Sequence, residues 1–213
     1  MTSPRSSSVK PKLGKHGFSR EIQQRLNDSI QTKQRVLQSL VPEIDRVARL
    51  LIDALSSGRK ILLFGNGGSA ADSQHIAAEL VGKLLVKRRA LPAIALTTDT
   101  SNLTALANDF GYDTVFERQV EALGSEGDVA IGLSTSGHSP NVLAAIRLAR
   151  RMKLKTVALT GRDGGPLATL VDHSITVPSD STQRIQEAHI TIAHILCELI
   201  EAHFAGSGSP SSQ

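Results

Sequence analysis

A glycine-rich segment near residue 65 constrains the fold of this chain more than any other stretch. Residues 61–64 are apolar and partly β-branched, which predicts a buried strand. The small residues of 65–69 predict a tight turn, and Ser69 is expected to cap a helix that runs to residue 86. Such a turn lets a ligand approach the backbone, and the helix N-terminus offers unpaired N–H groups. The segment therefore predicts a strand–turn–helix unit with an anion-binding turn.

The rest of the chain repeats the alternation of helix and strand patterns. Helices are predicted at 20–40, 42–57, 100–123 (in two pieces, broken at 108–111), 140–151 and 181–204, and further strands at 92–96, 128–133, 154–160 and 174–177. This order predicts the α/β class: a three-layer αβα sandwich with a five-stranded parallel sheet, preceded by N-terminal helices. We expect one domain at 19–205, between disordered tails at 1–18 and 206–213.

Composition excludes several classes of partner. The chain has no Trp, one Tyr and five Phe, too few for a surface that stacks nucleic-acid bases. Residues 1–20 carry five basic and no acidic residues, whereas the remainder is nearly neutral, so the net charge of +4 belongs to a tail. We expect neither a nucleic-acid nor a membrane partner. The single cysteine and the lack of a signal sequence favour a cytoplasmic protein.

A second polar loop follows the predicted strand at 128–133. It contains four hydroxyl side chains, a glycine that allows the backbone to turn, and Pro140 at the start of the next helix: Ser134, Thr135, Ser136, Gly137 and Ser139. Hydroxyl and amide donors at a helix N-terminus favour a phosphate site, although serines of such a loop can also simply cap the helix. In a parallel sheet both polar loops lie at the carboxyl ends of strands, where ligands bind.

Polar residues on two helices predict either a metal site or an acid–base pair. His75 and Glu79 are four residues apart and share a helical face, a spacing that also suits an ordinary surface contact. Gln186, His189 and His194 interrupt the otherwise apolar C-terminal helix, and Gln186 and His194 lie about 80° apart around its axis. Spacing alone does not choose between His189 and His194.

Residues 65–70 also satisfy the dinucleotide-binding pattern G-x-G-x-x-A. About 20 residues further on, where that fold places an acidic residue for the ribose, the chain has Lys87-Arg88-Arg89. The pattern is therefore a weak indication of a dinucleotide site.

Taken together, these motifs resemble the phosphoheptose isomerases, a family of the sugar-isomerase (SIS) fold. The resemblance covers about residues 22–204 and is carried by Gly65-Asn66-Gly67-Gly68-Ser69, His75-Ile76-Ala77-Ala78-Glu79-Leu80, Ala107-Asn108-Asp109-Phe110-Gly111, Ser134-Thr135-Ser136-Gly137-x-Ser139, Leu159-Thr160-Gly161-x-Asp163-Gly164-Gly165 and Arg184-Ile185-Gln186-Glu187-x-His189. It implies conversion of sedoheptulose 7-phosphate to D-glycero-D-manno-heptose 7-phosphate, the first step towards activated heptose and lipopolysaccharide core precursors.

The resemblance also implies the site residues and the assembly. One zinc ion per subunit is implied at His75, Glu79, Gln186 and His194, with Glu79 as the catalytic base and His194 as the catalytic acid. Glu79 and Gln186 also contact substrate, and further contacts with the sugar and phosphate are implied for Asn66, Gly67, Gly68, Ser69, Asn108, Asp109, Ser134, Thr135, Ser136 and Ser139. A homotetramer with active sites at subunit interfaces is implied as well. His138 departs from the Asn or Lys that relatives often carry.

Two other functions stay open at this stage. A related tetrameric SIS adapter binds the replication initiator protein, but its positions matching Glu79 and His194 are not Glu and His. A sugar-phosphate-sensing regulator would normally carry a DNA-binding module, and residues 1–58 show no clear helix-turn-helix pattern. Retention of a base and an acid favours the enzyme.

Overall fold

The computed structural model describes residues 17–206 as alternating helices and strands. The helices are α1 (Phe18–Ser39), α2 (Val41–Ser56), α3 (Gly68–Val81), α4 (Thr100–Phe110), α5 (Glu117–Leu123), α6 (Pro140–Arg151), α7 (Gly165–Leu170) and α8 (Thr182–Gly206), with a 3-10 helix at Tyr112–Thr114. The strands are β1 (Ile61–Gly65), β2 (Ala93–Ala95), β3 (Val129–Ser134), β4 (Lys155–Gly161) and β5 (His173–Val177). The predicted tails lie outside the described residues, except at their boundaries.

The strands form a parallel sheet in the order β2-β1-β3-β4-β5. This confirms the predicted α/β class, the five-stranded parallel sheet within the described range and the N-terminal helices. The carboxyl ends of the five strands lie at the same end of the sheet, and there Gly65 of β1 pairs with Leu133 of β3. The loops that follow β1 and β3 are therefore brought side by side, because parallel neighbours end at the same edge.

Alternate residues of the strands fill two apolar layers. On β1, Ile61 and Leu63 pack with α2, α3 and α8, whereas Leu62 and Phe64 pack with α5, α6 and α7. This two-residue alternation is a direct result of the strand geometry. Both faces of the sheet are covered, which explains why the central strands are apolar without interruption. Over the described residues, no helix combines the length and the apolar character needed to cross a membrane.

Three details of the sequence prediction were wrong. Helix α3 ends at Val81 and not at residue 86, and Ser69 lies buried inside the helix, whose N-cap residue is Gly67 without a side-chain cap. Helix α7 was not predicted, because its six residues are too few to show a helical period.

A buried carboxylate on α8 binds the backbone just beyond the end of α3. Glu201 accepts hydrogen bonds from the backbone N–H groups of Leu84, Leu85 and Val86 at 2.6–3.0 Å. These N–H groups would otherwise have continued the helix, and here they bond to a side chain that is only 2% exposed. Residues 82–92 form an ordered connection that leads the chain back to β2, the outer strand of the sheet.

Candidate active site

The loops after β1 and β3 enclose a cleft of about 300 Å³ at the carboxyl edge of the sheet. We call it the serine-lined cleft. It brings together the two predicted loops and the start of α8, and its lining comprises Asn66, Gly67, Gly68, Ser69, Leu133, Ser134, Thr135, Ser136, Ser139, Thr182 and Gln186. The N-termini of α3 and α6 begin in these loops, one helix on each face of the sheet, and a helix N-terminus favours an anion electrostatically.

Two glycines allow the loops after β1 and β3 to approach neighbouring segments closely. Gly137 has a φ of +68°, and a Cβ there would lie 1.9 Å from the carbonyl oxygen of Gly164. A Cβ on Gly68 would lie 2.5 Å from Nε2 of Gln186. Any side chain at Gly68 would therefore displace the Gln186 amide from the cleft.

The hydroxyl groups of the second loop are arranged around the cleft without capping α6. Ser134 and Ser139 share a hydrogen bond at 2.9 Å between their hydroxyl oxygens, and Ser139, the N-cap residue of α6, makes no side-chain cap. The ring of His138 bonds through Nδ1 to the carbonyl oxygen of Ser136 at 2.6 Å. The interpretation of these serines as helix caps is therefore wrong for Ser139. The Ser139 side chain instead forms part of the lining of the cleft.

A second group of polar side chains lies further along α3. His75 Nε2 is 3.1 Å from Oε1 of Glu79 and 3.2 Å from Nε2 of His194 on α8. We call these three residues the His–Glu–His cluster; their ligand atoms all lie within 4.8 Å of one another. Two imidazole nitrogens and one carboxylate oxygen around a single point match the donors that bind divalent transition metals, and the cluster can hold a metal ion.

The structure decides between the two histidines of α8. His189 is fully buried, and its Nε2 bonds to the carbonyl oxygen of Thr160 on β4 at 2.8 Å. Burial lowers the pKa of His189 to about 4, although the Thr160 carbonyl opposes this shift. His189 is thus a neutral residue of the core, whereas His194 faces His75.

Asp72 is a polar neighbour of the cluster that the sequence analysis missed. It lies one turn before His75 on α3, and one of its carboxylate oxygens is buried without a hydrogen-bond partner in the described part of the chain. Burial raises the pKa of Asp72, whereas the nearby charges of His75 and His194 lower it. The i,i+3 spacing of Asp72 and His75 was visible in the sequence and was the available signal.

The remaining predicted residues divide into two sets. The serine-lined cleft contains all the predicted contacts of the two loops together with Gln186. Asn108 and Asp109, at the end of α4, are exposed, bond to each other at 2.7 Å and do not line this cleft within residues 17–206. Their predicted contacts with a sugar stay predictions.

The cleft and the cluster are consecutive along α3. Ser69 and His75 are six residues apart, which corresponds to about 9 Å along a helix axis. An anionic group in the cleft and a reactive carbon near the His–Glu–His cluster are therefore compatible with one extended ligand. Thr182, Asn141 and Tyr112, which the sequence analysis did not select, also adjoin this region.

This combination of a parallel αβα fold, hydroxyl-rich loops and a polar cluster defines the class of the protein. The model of the family described as SIS domain matches residues 26–161, and the chain belongs to that family.

Within it, the curated relatives identify a particular group. A phosphoheptose isomerase of Geotalea daltonii is 53% identical over 186 residues, which cover 87% of this chain and 97% of the relative. The solved structure of phosphoheptose isomerase GmhA from Neisseria gonorrhoeae is 44% identical with a TM-score of 0.83, and that of a phosphoheptose isomerase from Francisella tularensis is 37% identical with a TM-score of 0.85. They cover 87% and 88% of this chain and each is matched over its full length. The chain belongs to the phosphoheptose isomerase family.

This assignment confirms the expected family and the expected class of enzyme, an aldose–ketose isomerase. The alternative of an adapter for the replication initiator protein receives no support, because the relatives are named as isomerases.

Proposed function

We propose that the chain converts sedoheptulose 7-phosphate into D-glycero-D-manno-heptose 7-phosphate and thereby starts the supply of activated heptose for lipopolysaccharide core precursors. The observation that carries this proposal is the position of a carboxylate–imidazole cluster one and a half turns beyond an anion-binding helix start, on the same helix α3. The single buried cysteine is consistent with a cytoplasmic location.

The serine-lined cleft is proposed to bind the phosphate. Helix N-termini favour an anion electrostatically, and hydroxyl and backbone N–H donors satisfy its oxygens. The contacts with substrate are assigned to Asn66, Gly67, Gly68, Ser69, Ser134, Thr135, Ser136 and Ser139, with Asn108 and Asp109 reaching the sugar. Binding the phosphate at this end would hold the carbonyl end of the sugar near Glu79.

Isomerisation moves a proton between adjacent carbons and adjusts the protons on their oxygens. Glu79, which is half-buried, is proposed to remove the proton from the carbon that carries the hydroxyl group and to return it to the neighbouring carbon. His194 is proposed to exchange the proton on the sugar oxygens. Both side chains adjoin His75, so their geometry is set by one cluster spanning α3 and α8.

The cluster fits one zinc ion per subunit, which His75, Glu79, Gln186 and His194 would hold. Its donor set of imidazole nitrogens and carboxylate oxygen is typical of zinc sites. Gln186 precedes His194 by eight residues on α8, about 80° away around the axis, and its amide lines the adjoining serine-lined cleft. When bound, the metal would polarise the sugar oxygens and stabilise the negative charge that develops on them.

The reaction is tested by running it in deuterated water. Proton transfer through an enediol predicts incorporation of solvent deuterium at C2 of the aldose product, because the base exchanges its proton with solvent. If neither substrate nor product carries deuterium at C1 or C2 after many forward and reverse turnovers, a hydride shift is indicated and the role of Glu79 is contradicted.

The ligand set predicts which α8 histidine controls metal binding. His194→Ala is expected to reduce the bound zinc to background, as measured by elemental analysis of the dialysed protein. His189→Gln is the matched control, since a glutamine amide can still donate to the Thr160 carbonyl, and it is expected to keep the metal. Loss of zinc in the control alone would contradict this ligand set.

We also propose a homotetramer, supported by an apolar stripe on α1. Ile22, Leu26 and Ile30 follow one another at four-residue spacing and are 56%, 60% and 54% exposed in the single chain. Such a stripe is typical of a helix that packs against another copy.

The double variant Leu26→Glu/Ile30→Glu is expected to lower the molar mass in solution, measured by light scattering, because it places charges in a packed interface. Gln31→Glu/Gln38→Glu is the matched control, since it adds the same two charges at exposed positions on a different face of α1, and it should leave the mass unchanged. An unchanged mass in the Leu26/Ile30 variant would remove α1 from the interface.

A further inference from the structure

Most of the hydrogen-bonding capacity of the Asn66 side chain is taken up by the protein. Its amide forms a reciprocal pair with Asn141: Nδ2 of Asn66 donates to Oδ1 of Asn141, and Nδ2 of Asn141 donates to Oδ1 of Asn66, both at 2.9 Å. The hydroxyl of Tyr112 donates to the same oxygen of Asn66 at 3.2 Å. Three segments, the loop after β1, the 3-10 helix and the start of α6, therefore meet at one amide.

A backbone hydrogen bond determines the orientation of the two side-chain amides. The N–H of Val142 donates to Asn141 at 3.0 Å, and since an N–H group can only donate, the accepting atom is the oxygen Oδ1. The other atom of the Asn141 amide is then the nitrogen, which must face the oxygen of Asn66. Asn141 is only 1% exposed, so water does not compete for these bonds.

The count of donors and acceptors leaves Asn66 with one free group. An amide oxygen has two lone pairs, and those of Asn66 are occupied by Asn141 and Tyr112. Its nitrogen has two N–H groups, of which one is used by Asn141. Counting partners among residues 17–206, the second N–H is the only group that this side chain can offer to a ligand in the serine-lined cleft.

We propose that Asn141 and Tyr112 are positioning residues that fix Asn66 as a hydrogen-bond donor, so that it recognises an acceptor oxygen of the substrate. The inference rests on the proposed function, in which Asn66 contacts the sugar phosphate. A freely rotating asparagine would offer donor or acceptor equally, and the fixed one selects a phosphate, carbonyl or ether oxygen.

Tyr112 provides the clean test, because its side chain is largely exposed and Tyr112→Phe removes only the hydroxyl. Steady-state kinetics are compared for wild type, Tyr112→Phe, Asn66→Ala and the double variant. Loss of one hydrogen bond corresponds to about a 2- to 10-fold effect. We expect KM to rise about 3-fold in Tyr112→Phe and about 10-fold in Asn66→Ala, with kcat little changed.

The double variant decides whether Tyr112 acts through Asn66. We expect its KM to equal that of Asn66→Ala, whereas Tyr112→Phe combined with Ser136→Ala should show multiplied effects. Asn141→Asp keeps the acceptor for Val142 and loses the donor for Asn66, so its KM should rise more than that of Tyr112→Phe. Thermal denaturation measured beside the kinetics separates this from a general loss of structure.

The outcomes separate the inference from the proposed function. A 3-fold effect of Tyr112→Phe that persists in the Asn66→Ala background overturns the positioning role, as does a wild-type KM in either single variant. Absence of turnover in the wild type overturns the proposed function alone, because the same cycle can be measured as Kd for sedoheptulose 7-phosphate by calorimetry. Absence of both turnover and binding overturns the two together.

Discussion

Glu79→Gln is expected to lower kcat by about 10³-fold, since a positioned general base contributes about 10²- to 10⁴-fold. The glutamine has the same shape as Glu79 and keeps an oxygen that can bond to His75, but it cannot accept a proton from carbon. The phosphate contacts lie in the serine-lined cleft, whose Ser69 is ten residues before Glu79, or about 15 Å along the axis of α3. Substrate binding is therefore expected to change much less than kcat.

The measurement combines steady-state kinetics with the zinc content of the variant. Zinc analysis is needed because Glu79 is both the proposed base and a proposed metal ligand. A variant that keeps its metal and loses turnover supports the role as base, while one that loses both is compared with His75→Ala, which removes a ligand and leaves Glu79 in place. A kcat near that of wild type would remove Glu79 from the chemistry.

Among the substitutions proposed for this chain, Glu201→Gln is expected to lower the stability of the fold most. Glu201 accepts three backbone N–H groups, and its Oε1 lies 3.4 Å from Nε of Arg88, whose side chain is only 1% exposed. The Arg88 guanidinium in turn donates to the carbonyl oxygens of Glu79 and Leu80 at 2.7 and 2.9 Å. The pair thus joins the end of α3, residues 82–92 and α8.

The glutamine would leave the buried Arg88 without its counter-charge and place an NH₂ group against backbone donors. Breaking one partner of a buried ion pair costs about 3–5 kcal/mol. For a chain of this size we expect Tm to fall by about 10 °C, measured by calorimetry. Glu198→Gln, an exposed position on the same helix, is the control and should shift Tm by less than about 2 °C. Equal Tm values in the two variants would contradict the stabilising role of the Glu201–Arg88 pair.

The pH dependence of this effect has a definite sign. Burial alone raises the pKa of Glu201, but the N–H groups of Leu85, Leu84 and Val86 and the charge of Arg88 lower it below its ordinary value of 4.5. The unfolded chain therefore takes up this proton at higher pH than the folded chain. The stability difference between wild type and Glu201→Gln should be complete above about pH 5 and shrink as pH falls through the lowered pKa.

The sequence predicted the elements whose periodicity is long and unbroken, and the edge of the sheet where the site lies. It paired His75 with Glu79 correctly, because helical spacing alone places them on one face. It could not choose His194 over His189, since that choice depends on how α8 is rotated against β4, where His189 meets the Thr160 carbonyl. Rotation of a helix on a sheet is decided by packing of the whole core.

Local sequence patterns also failed to predict the structure where a side chain distant in sequence binds the backbone. Residues 82–86 have ordinary helix formers apart from Gly82, and the N–H groups of Leu84, Leu85 and Val86 bond to Glu201, more than a hundred residues away. Asn141 was passed over for a similar reason. In the sequence it is one polar residue after Pro140, and its importance lies in the pairing with Asn66 from the loop after β1.

The proposed reaction is a metal-dependent isomerisation at the His–Glu–His cluster. The most direct measurement is NMR of sedoheptulose 7-phosphate incubated with the purified protein, before chelation, after chelation and after restoring zinc. We expect the signal of the aldose heptose 7-phosphate, its loss in the chelated sample whose zinc content has been shown to be background, and its return with zinc. Full turnover in that metal-free sample would contradict a metal-dependent isomerisation, and so would the absence of any product from the zinc-loaded protein.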